Sequence, residues 1–135
     1  ITWSLVGSEM CIRDRFNLKP VGKYFLQACT TTPCWLRGSD NMMRCIKDRY
    51  GISSGETSEC GRFTLLEVEC LGACVNAPIL QVNDDFYEDL DYASTGALLD
   101  SLEADEPLLV GSVTGRSGSE SASGATSLAA LKPAE

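Results

Sequence analysis

The sequence contains no histidine. That absence excludes Ser-His-Asp and Cys-His catalysis, zinc sites that draw on imidazole, and clusters in which two histidines hold one iron. Any chemistry is left to cysteine, to carboxylates, or to a group bound by them. No apolar run is long enough to span a bilayer, so direct membrane insertion is not expected. Residues 1–15 lack the basic stretch, apolar core and small-residue cleavage site of a secretory signal. Basic charge is also scarce: the net charge is −8. A nucleic-acid partner is therefore not expected, because phosphate binding needs a basic face. The shortage is local as well as global. Residues 71–110 hold no Lys or Arg, whereas basic residues outnumber acidic ones between Cys11 and Tyr50. The acidic half, with Asp84, Asp85, Glu88, Asp89 and Asp91, reads first as a solvated face and second as a surface for a basic partner.

What is present in excess is cysteine: Cys11, Cys29, Cys34, Cys45, Cys60, Cys70 and Cys74. Without a secretory signal, closely spaced cysteines point to metal ligands or redox thiols rather than to a disulfide framework. The 135 residues, 44% hydrophobic and 22% charged, suffice for one domain with a modest core. Residues 1–15 show no clear period and read as a non-native-looking or artefactual segment joined to a truncated protein, with a frayed native N-terminus as the alternative, so Cys11 carries little weight. The domain proper spans 22–104, and a flexible tail rich in Gly, Ser, Ala and Thr follows over 105–135.

Within the domain, Tyr24, Phe25 and Leu26 mark a buried strand over 23–28. A loop over 29–38 precedes a helix capped by Ser39, with Met42 or Met43, Ile46 and Tyr50 inward and Gly51 terminating it. A connecting loop over 52–62 leads to a second strand over 63–70, with Leu66 and Val68 on one face and Glu67 and Glu69 on the other. Another loop, 71–78, ends at Pro78, a candidate cis-proline. A hairpin turns at Asn83-Asp84-Asp85, and Asp91 caps a last helix with Leu98, Leu99 and Leu102 inward. Strand–helix–strand implies parallel pairing, and the hairpin adds antiparallel strands. The expected fold class is α/β, a thioredoxin-like mixed sheet with flanking helices, its usual second helix reduced to a loop.

This topology gathers four of the cysteines. Cys29 ends the first strand and Cys34 follows in a C-x4-C spacing; Cys70 ends the second and Cys74 follows in C-x3-C. Neighbouring parallel strands lie about 5 Å apart, one intervening strand only doubles that, and ligands collect at their carboxyl edge. Four thiolates suit either zinc or an iron–sulfur cluster. In a [2Fe–2S] cluster each iron takes two protein sulfurs, so two pairs from separate loops favour it. A structural zinc module held by four cysteines, serving as an interaction platform, stays open. A thiol–disulfide enzyme is disfavoured, since neither spacing is C-x-x-C. Thr30, Thr31 and Thr32 offer hydroxyls and N–H groups toward sulfur, Pro33 stiffens the loop, and Gly72-Ala73 lets the backbone pass close. Cys45 reads as core and Cys60 as a spectator. Trp35 reads as packing or a subunit contact, and Arg37 as a surface or interface cation.

The run Cys29-Thr30-Thr31-Thr32-Pro33-Cys34-Trp35-Leu36-Arg37-Gly38 is followed by Glu67-Val68-Glu69-Cys70-Leu71-Gly72-Ala73-Cys74-Val75-Asn76-Ala77-Pro78. Together with Asn83-Asp84-Asp85-Phe86-Tyr87-Glu88-Asp89-Leu90, it resembles the 24 kDa (flavoprotein 2) subunits of respiratory complex I, NADH:quinone oxidoreductase, over residues 22–102. The resemblance implies a thioredoxin-like ferredoxin domain with a [2Fe–2S] cluster on Cys29, Cys34, Cys70 and Cys74. It implies a non-autonomous redox subunit that exchanges electrons with the FMN of an FMN- and NADH-binding flavoprotein subunit, with no NADH or flavin site of its own. The expected location is peripheral, on the cytoplasmic face of a bacterial inner membrane or the mitochondrial matrix side. The equivalent subunit of an NAD-linked hydrogenase or formate dehydrogenase is the alternative. The helical N-terminal region of those subunits is not matched here.

Overall fold

The structure, a computed structural model, describes residues 17, 19–116 and 118. The expectations for residues 1–15, Cys11 and most of the tail lie outside them. Alternating apolar residues in the first strand, β1 (Tyr24–Cys29), bury Leu26 and Ala28 on one face and Cys29 on the other. Helices α1 (Thr32–Leu36) and α2 (Ser39–Tyr50) follow, then β2 (Glu56–Thr57) and β3 (Phe63–Val68). A 3-10 turn (Cys74–Asn76) leads into the hairpin β4 (Ile79–Val82) and β5 (Asp85–Glu88). Helix α3 (Tyr92–Glu103) and a short β6 (Gly111–Ser112) complete the order. The six strands form one mixed sheet in the order β2-β3-β1-β4-β5-β6.

As the strand–helix–strand pattern requires, β1 and β3 pair in parallel, from Tyr24 opposite Phe63 to Cys29 opposite Val68. On its other side β1 pairs antiparallel with β4. Two faces result. On one, Leu26, Phe63, Leu65, Leu80 and Val82 meet Met42, Cys45 and Ile46 of α2 and Leu98, Leu99 and Leu102 of α3. Each large apolar side chain among them contributes about 1.5–3 kcal/mol when taken out of water. On the other, Cys29 and Ile79 lie with Phe86 beneath Cys34 of α1 and Leu71, Ala73 and Ala77 of the second loop.

The structure differs from the expected pattern at several points. The loop 29–38 contains α1, a single turn with Pro33 as its second residue, whose fixed φ and missing N–H suit the start of a helix. Helix α2 is capped by Gly38 at φ 96°, not by Ser39, which is buried as its first residue and makes no capping bond. Gly51 closes α2 at φ 67°, its N–H bonded to Lys47 O. Strand β3 stops at Val68, and the loop before it carries the two-residue β2. The hairpin turn is tighter than expected, two residues with Val82 opposite Asp85. It is pinned to β1 by Asn83, whose Oδ1 accepts from Phe25 N–H at 2.9 Å. The Ala77–Pro78 bond is cis. The first part of the expected flexible tail is docked: β6 pairs in parallel with β5.

Candidate metal centre

Strand parity places Cys29 on the face away from the main core, at the carboxyl end of β1 and fully buried. Its sulfur meets the Thr31 hydroxyl at 3.2 Å. Helix α1 then turns the chain back so that Cys34, also fully buried, interacts directly with Cys29. From β3 the chain passes Glu69 to an exposed Cys70 and a half-buried Cys74, with Sγ to Sγ at 3.3 Å. Between them Gly72 takes φ 87°, a conformation L side chains disfavour, and its N–H lies 3.4 Å from Cys70 Sγ. The four thiols expected as ligands thus emerge at one edge as two pairs. Among the described residues no group of three or more His, Cys, Asp or Glu side chains is arranged to hold a single metal ion.

Electrostatics tie the pairs together. Burial pushes the Cys29 thiol up, but bonds from the Thr31 hydroxyl, the Leu71 N–H, Cys34 and the Thr31 N–H outweigh it and hold it below the ordinary value. Cys34 is pushed up to about 12, by burial first and then by Cys29; the Ile79 N–H pulls the other way. Cys74 is raised by its bond to Cys70, then by burial and by the charges on Cys70 and Cys29. Charge on Cys29 raises Cys74, and charge on Cys74 raises Cys34, so each pair is felt electrostatically by the other. Within each pair one sulfur crowds the other, and displacing both protons takes a cation between them. Thr30 is directed away, donating to Glu67.

A sequence model of thioredoxin-like [2Fe-2S] ferredoxins matches residues 13–103. The chain belongs to the thioredoxin-like [2Fe-2S] ferredoxin family. Among its relatives, this ferredoxin is 58% identical over 90 residues to an NADH-quinone oxidoreductase subunit of Rickettsia conorii, covering 67% of this chain and 54% of that one. It is 51% identical over 113 residues to the mitochondrial NADH dehydrogenase [ubiquinone] flavoprotein 2 of Dictyostelium discoideum, covering 84% and 46%. The chain thus spans about half the length of the curated relatives it matches. The solved thioredoxin-like [2Fe-2S] ferredoxin of Aquifex aeolicus superposes with a TM-score of 0.53 at 16% identity, covering 65% of this chain and 87% of that one. That likeness speaks for the fold.

The ferredoxin's cysteines fit a [2Fe–2S] cluster. A tetrahedral metal about 2.3 Å from each sulfur holds two of them about 3.8 Å apart, and the 3.3 Å pair at Cys70 and Cys74 needs little adjustment to reach that. Two pairs of sulfurs match two metal ions with two protein sulfurs each. When bound, such a cluster supplies a one-electron redox centre. The protein's part is to bury Cys29 and Cys34, to aim the Thr31 hydroxyl and the Leu71 and Ile79 N–H groups at sulfur, and to leave Cys70 at the surface.

Of the other residues singled out, Cys45 is buried in the main core and Cys60 is exposed, bonded to Ser58. Trp35 is 56% exposed, with Nε1 donating to Asp40. Arg37 reaches Ala77 O at 3.5 Å, the long limit of a hydrogen bond, linking α1 to the second loop. Sequence reasoning missed Asn76, the turn residue that bonds to Gly118, and Arg116, which pairs with Asp89. No local pattern marks them, because their partners lie tens of residues away.

Proposed function

We propose that this ferredoxin is an electron-transfer subunit of an NADH:quinone oxidoreductase. It holds one [2Fe–2S] cluster on Cys29, Cys34, Cys70 and Cys74 and exchanges electrons with the FMN of a partner flavoprotein subunit. The observation that carries this reading is the adjacency of β1 and β3: Cys29 lies opposite Val68, so both thiol pairs leave the sheet at one edge. One iron belongs to Cys29 and Cys34, the other to Cys70 and Cys74.

The names of the relatives support the assignment to a multi-subunit oxidoreductase. The surface supports a partner at the cysteine edge. Trp35 and Leu36, the two residues after Cys34, and Val75, the residue after Cys74, are 56%, 71% and 64% exposed. Apolar side chains grouped around a redox centre suit a protein contact better than open water. FMN and NADH belong to the partner, which makes this chain a non-autonomous part of the enzyme. Among the described residues no helix is long and apolar enough to cross a membrane. The relatives are bacterial and mitochondrial. The chain's place is peripheral, on the cytoplasmic or matrix side.

The test is anaerobic reconstitution of the full chain, with iron and sulfide analysis and a visible spectrum. Two irons and two sulfides with broad visible absorption are expected; a colourless protein holding one zinc would replace this reading with the zinc module. Cys70→Ser is expected to lose or strongly perturb the electron paramagnetic resonance spectrum of the reduced protein, and Cys60→Ser to leave it unchanged. Identical spectra from both variants would refute the ligand assignment.

A further inference from the structure

The last described residues return to the cysteine edge. Beyond β6, Arg116 grips Asp89 with two bonds, Nε to Oδ2 at 3.1 Å and Nη2 to Oδ1 at 2.5 Å. The hydroxyls of Ser112 and Thr114 donate to the same carboxylate, at 2.5 Å and 3.4 Å. The Arg116 and Asp89 side chains are only 14% and 7% exposed. Exposed ion pairs contribute little, but a withdrawn, two-pronged pair with further donors is satisfied in one arrangement only.

That arrangement touches the turn carrying Cys74. Asp89 lies just past β5 at φ 57°, and its N–H donates to Asn76 O at 2.8 Å. Arg116 Nη2 reaches Val75 O at 3.4 Å. Asn76 is itself buried, and its Nδ2 donates to Gly118 O at 2.7 Å and to Glu88 Oε2 at 2.6 Å. Val75 and Asn76 are the residues after Cys74 in the same 3-10 turn. The turn is therefore bonded on one hand to Glu88 and Asp89 at the end of β5, and on the other to Arg116 and Gly118.

We propose that the Asp89–Arg116 pair is a positioning device for the cluster: it straps the segment after β6 to the turn that carries Cys74 and fixes that thiol beside Cys70. The inference rests on the assignment of Cys74 as a ligand. A comparable knot exists elsewhere and serves as a control. Asp105 accepts from Lys23, Tyr24 and Arg62, fastening the end of α3 to the start of β1, with no bond to the turn after Cys74.

The test uses the reconstituted full chain and two readouts: the rate of cluster bleaching by an iron chelator, and the spectrum of the reduced cluster by electron paramagnetic resonance. Asp89→Asn is isosteric and tolerates the positive φ, so it removes the charge without straining the backbone. Asp89→Asn and Arg116→Gln are expected to bleach on the order of 10–100-fold faster and to shift the spectrum. Arg116→Lys, which keeps the charge but not the fork, is expected to recover part of the loss. Asp105→Asn is expected to match wild type in both readouts while melting earlier. Wild-type bleaching and spectrum in Asp89→Asn and Arg116→Gln would overturn the strap, as would an Asp105→Asn protein that behaves as they do. If Asp89→Asn does not fold, the Arg116 variants decide, and equal rates for Gln, Lys and wild type overturn it. Cys74→Ser separates the two readings. A wild-type cluster in that variant defeats the ligand assignment and the strap together, whereas a lost cluster there beside an unaffected Arg116→Gln defeats the strap alone.

Discussion

Thr30 and Thr31 are neighbours with opposite destinations. The Thr31 hydroxyl lies 3.2 Å from Cys29 Sγ, while the Thr30 hydroxyl is spent on Glu67. A donor to a ligand sulfur favours the reduced, more negative state of a cluster and raises its potential. Thr31→Val keeps the shape and deletes the donor, so the potential should fall. A hydrogen bond worth about 1 kcal/mol sets a ceiling of about 40 mV for one electron. Thr30→Val should leave the potential where it is. A redox titration followed at the visible bands checks both, and an unmoved potential in Thr31→Val would remove this hydroxyl from the tuning of the site. The triplet of threonines is legible in sequence as a set of donors around sulfur. Which one faces the metal is not, because the choice depends on how the chain leaves β1 and enters α1, a matter of the backbone dihedrals at Thr30 and Thr31.

Among the elements, α3 stands out for the completeness of its start. Asp91 accepts from Ser94 N–H at 2.7 Å while Ser94 Oγ accepts from Asp91 N–H at 2.7 Å, so two otherwise orphaned donors are satisfied reciprocally. Asp91→Ala removes one half of this box and should cost about 1 kcal/mol, or about 4–8 °C in melting temperature for a domain of this size. A thermal melt of the apo chain checks it; a loss below about 2 °C would mean that packing of Leu98, Leu99 and Leu102 alone sets the helix. Elements with such local signals are readable from sequence: Asp91 at one cap, Gly51 at another, the alternation in β1, the Asn83 turn. Helix α1 is not, because five residues are too few to display a period, and a proline stiffens a loop as readily as it opens a helix. Ser39 misleads for a related reason. It is a good cap by type, but burial places it inside the first turn and hands the cap to Gly38, whose positive φ bends the chain out of α1.

For the whole molecule, the parallel pairing of β1 with β3 and the antiparallel hairpin are legible in sequence, since both follow from the succession of strands. The extension of the sheet by β6 and the Asp89–Arg116 pair are not, because a run of small residues gives no hint of the surface it covers. Such long-range pairs, with the cap of α3, set the chain's response to acid. Asp89 is held below the ordinary carboxylate value: burial pushes it up, but Arg116, Ser112 and Thr114 outweigh that. Asp100 is lowered by Arg49, Asp105 by Lys23 and Tyr24, and Asp91 by the Ser94 N–H. All four shifts have the same sign. A carboxyl whose folded value lies below its unfolded value, about 3.9, binds fewer protons when folded, so its contribution is complete above that pH and is lost as the pH falls through the folded values. With no histidine in the chain, no imidazole titrates near 6.5 to interrupt the plateau above it. Denaturant midpoints of the apo chain are therefore expected to be level between about pH 5 and pH 7 and to fall steadily below about pH 4. Asp89→Asn, already lacking one of these charges, should start lower at neutral pH and lose less on acidification than wild type does. A midpoint that rises on acidification, or an Asp89→Asn profile parallel to wild type throughout, would contradict the assignment of this pair as part of the acid-sensitive closure.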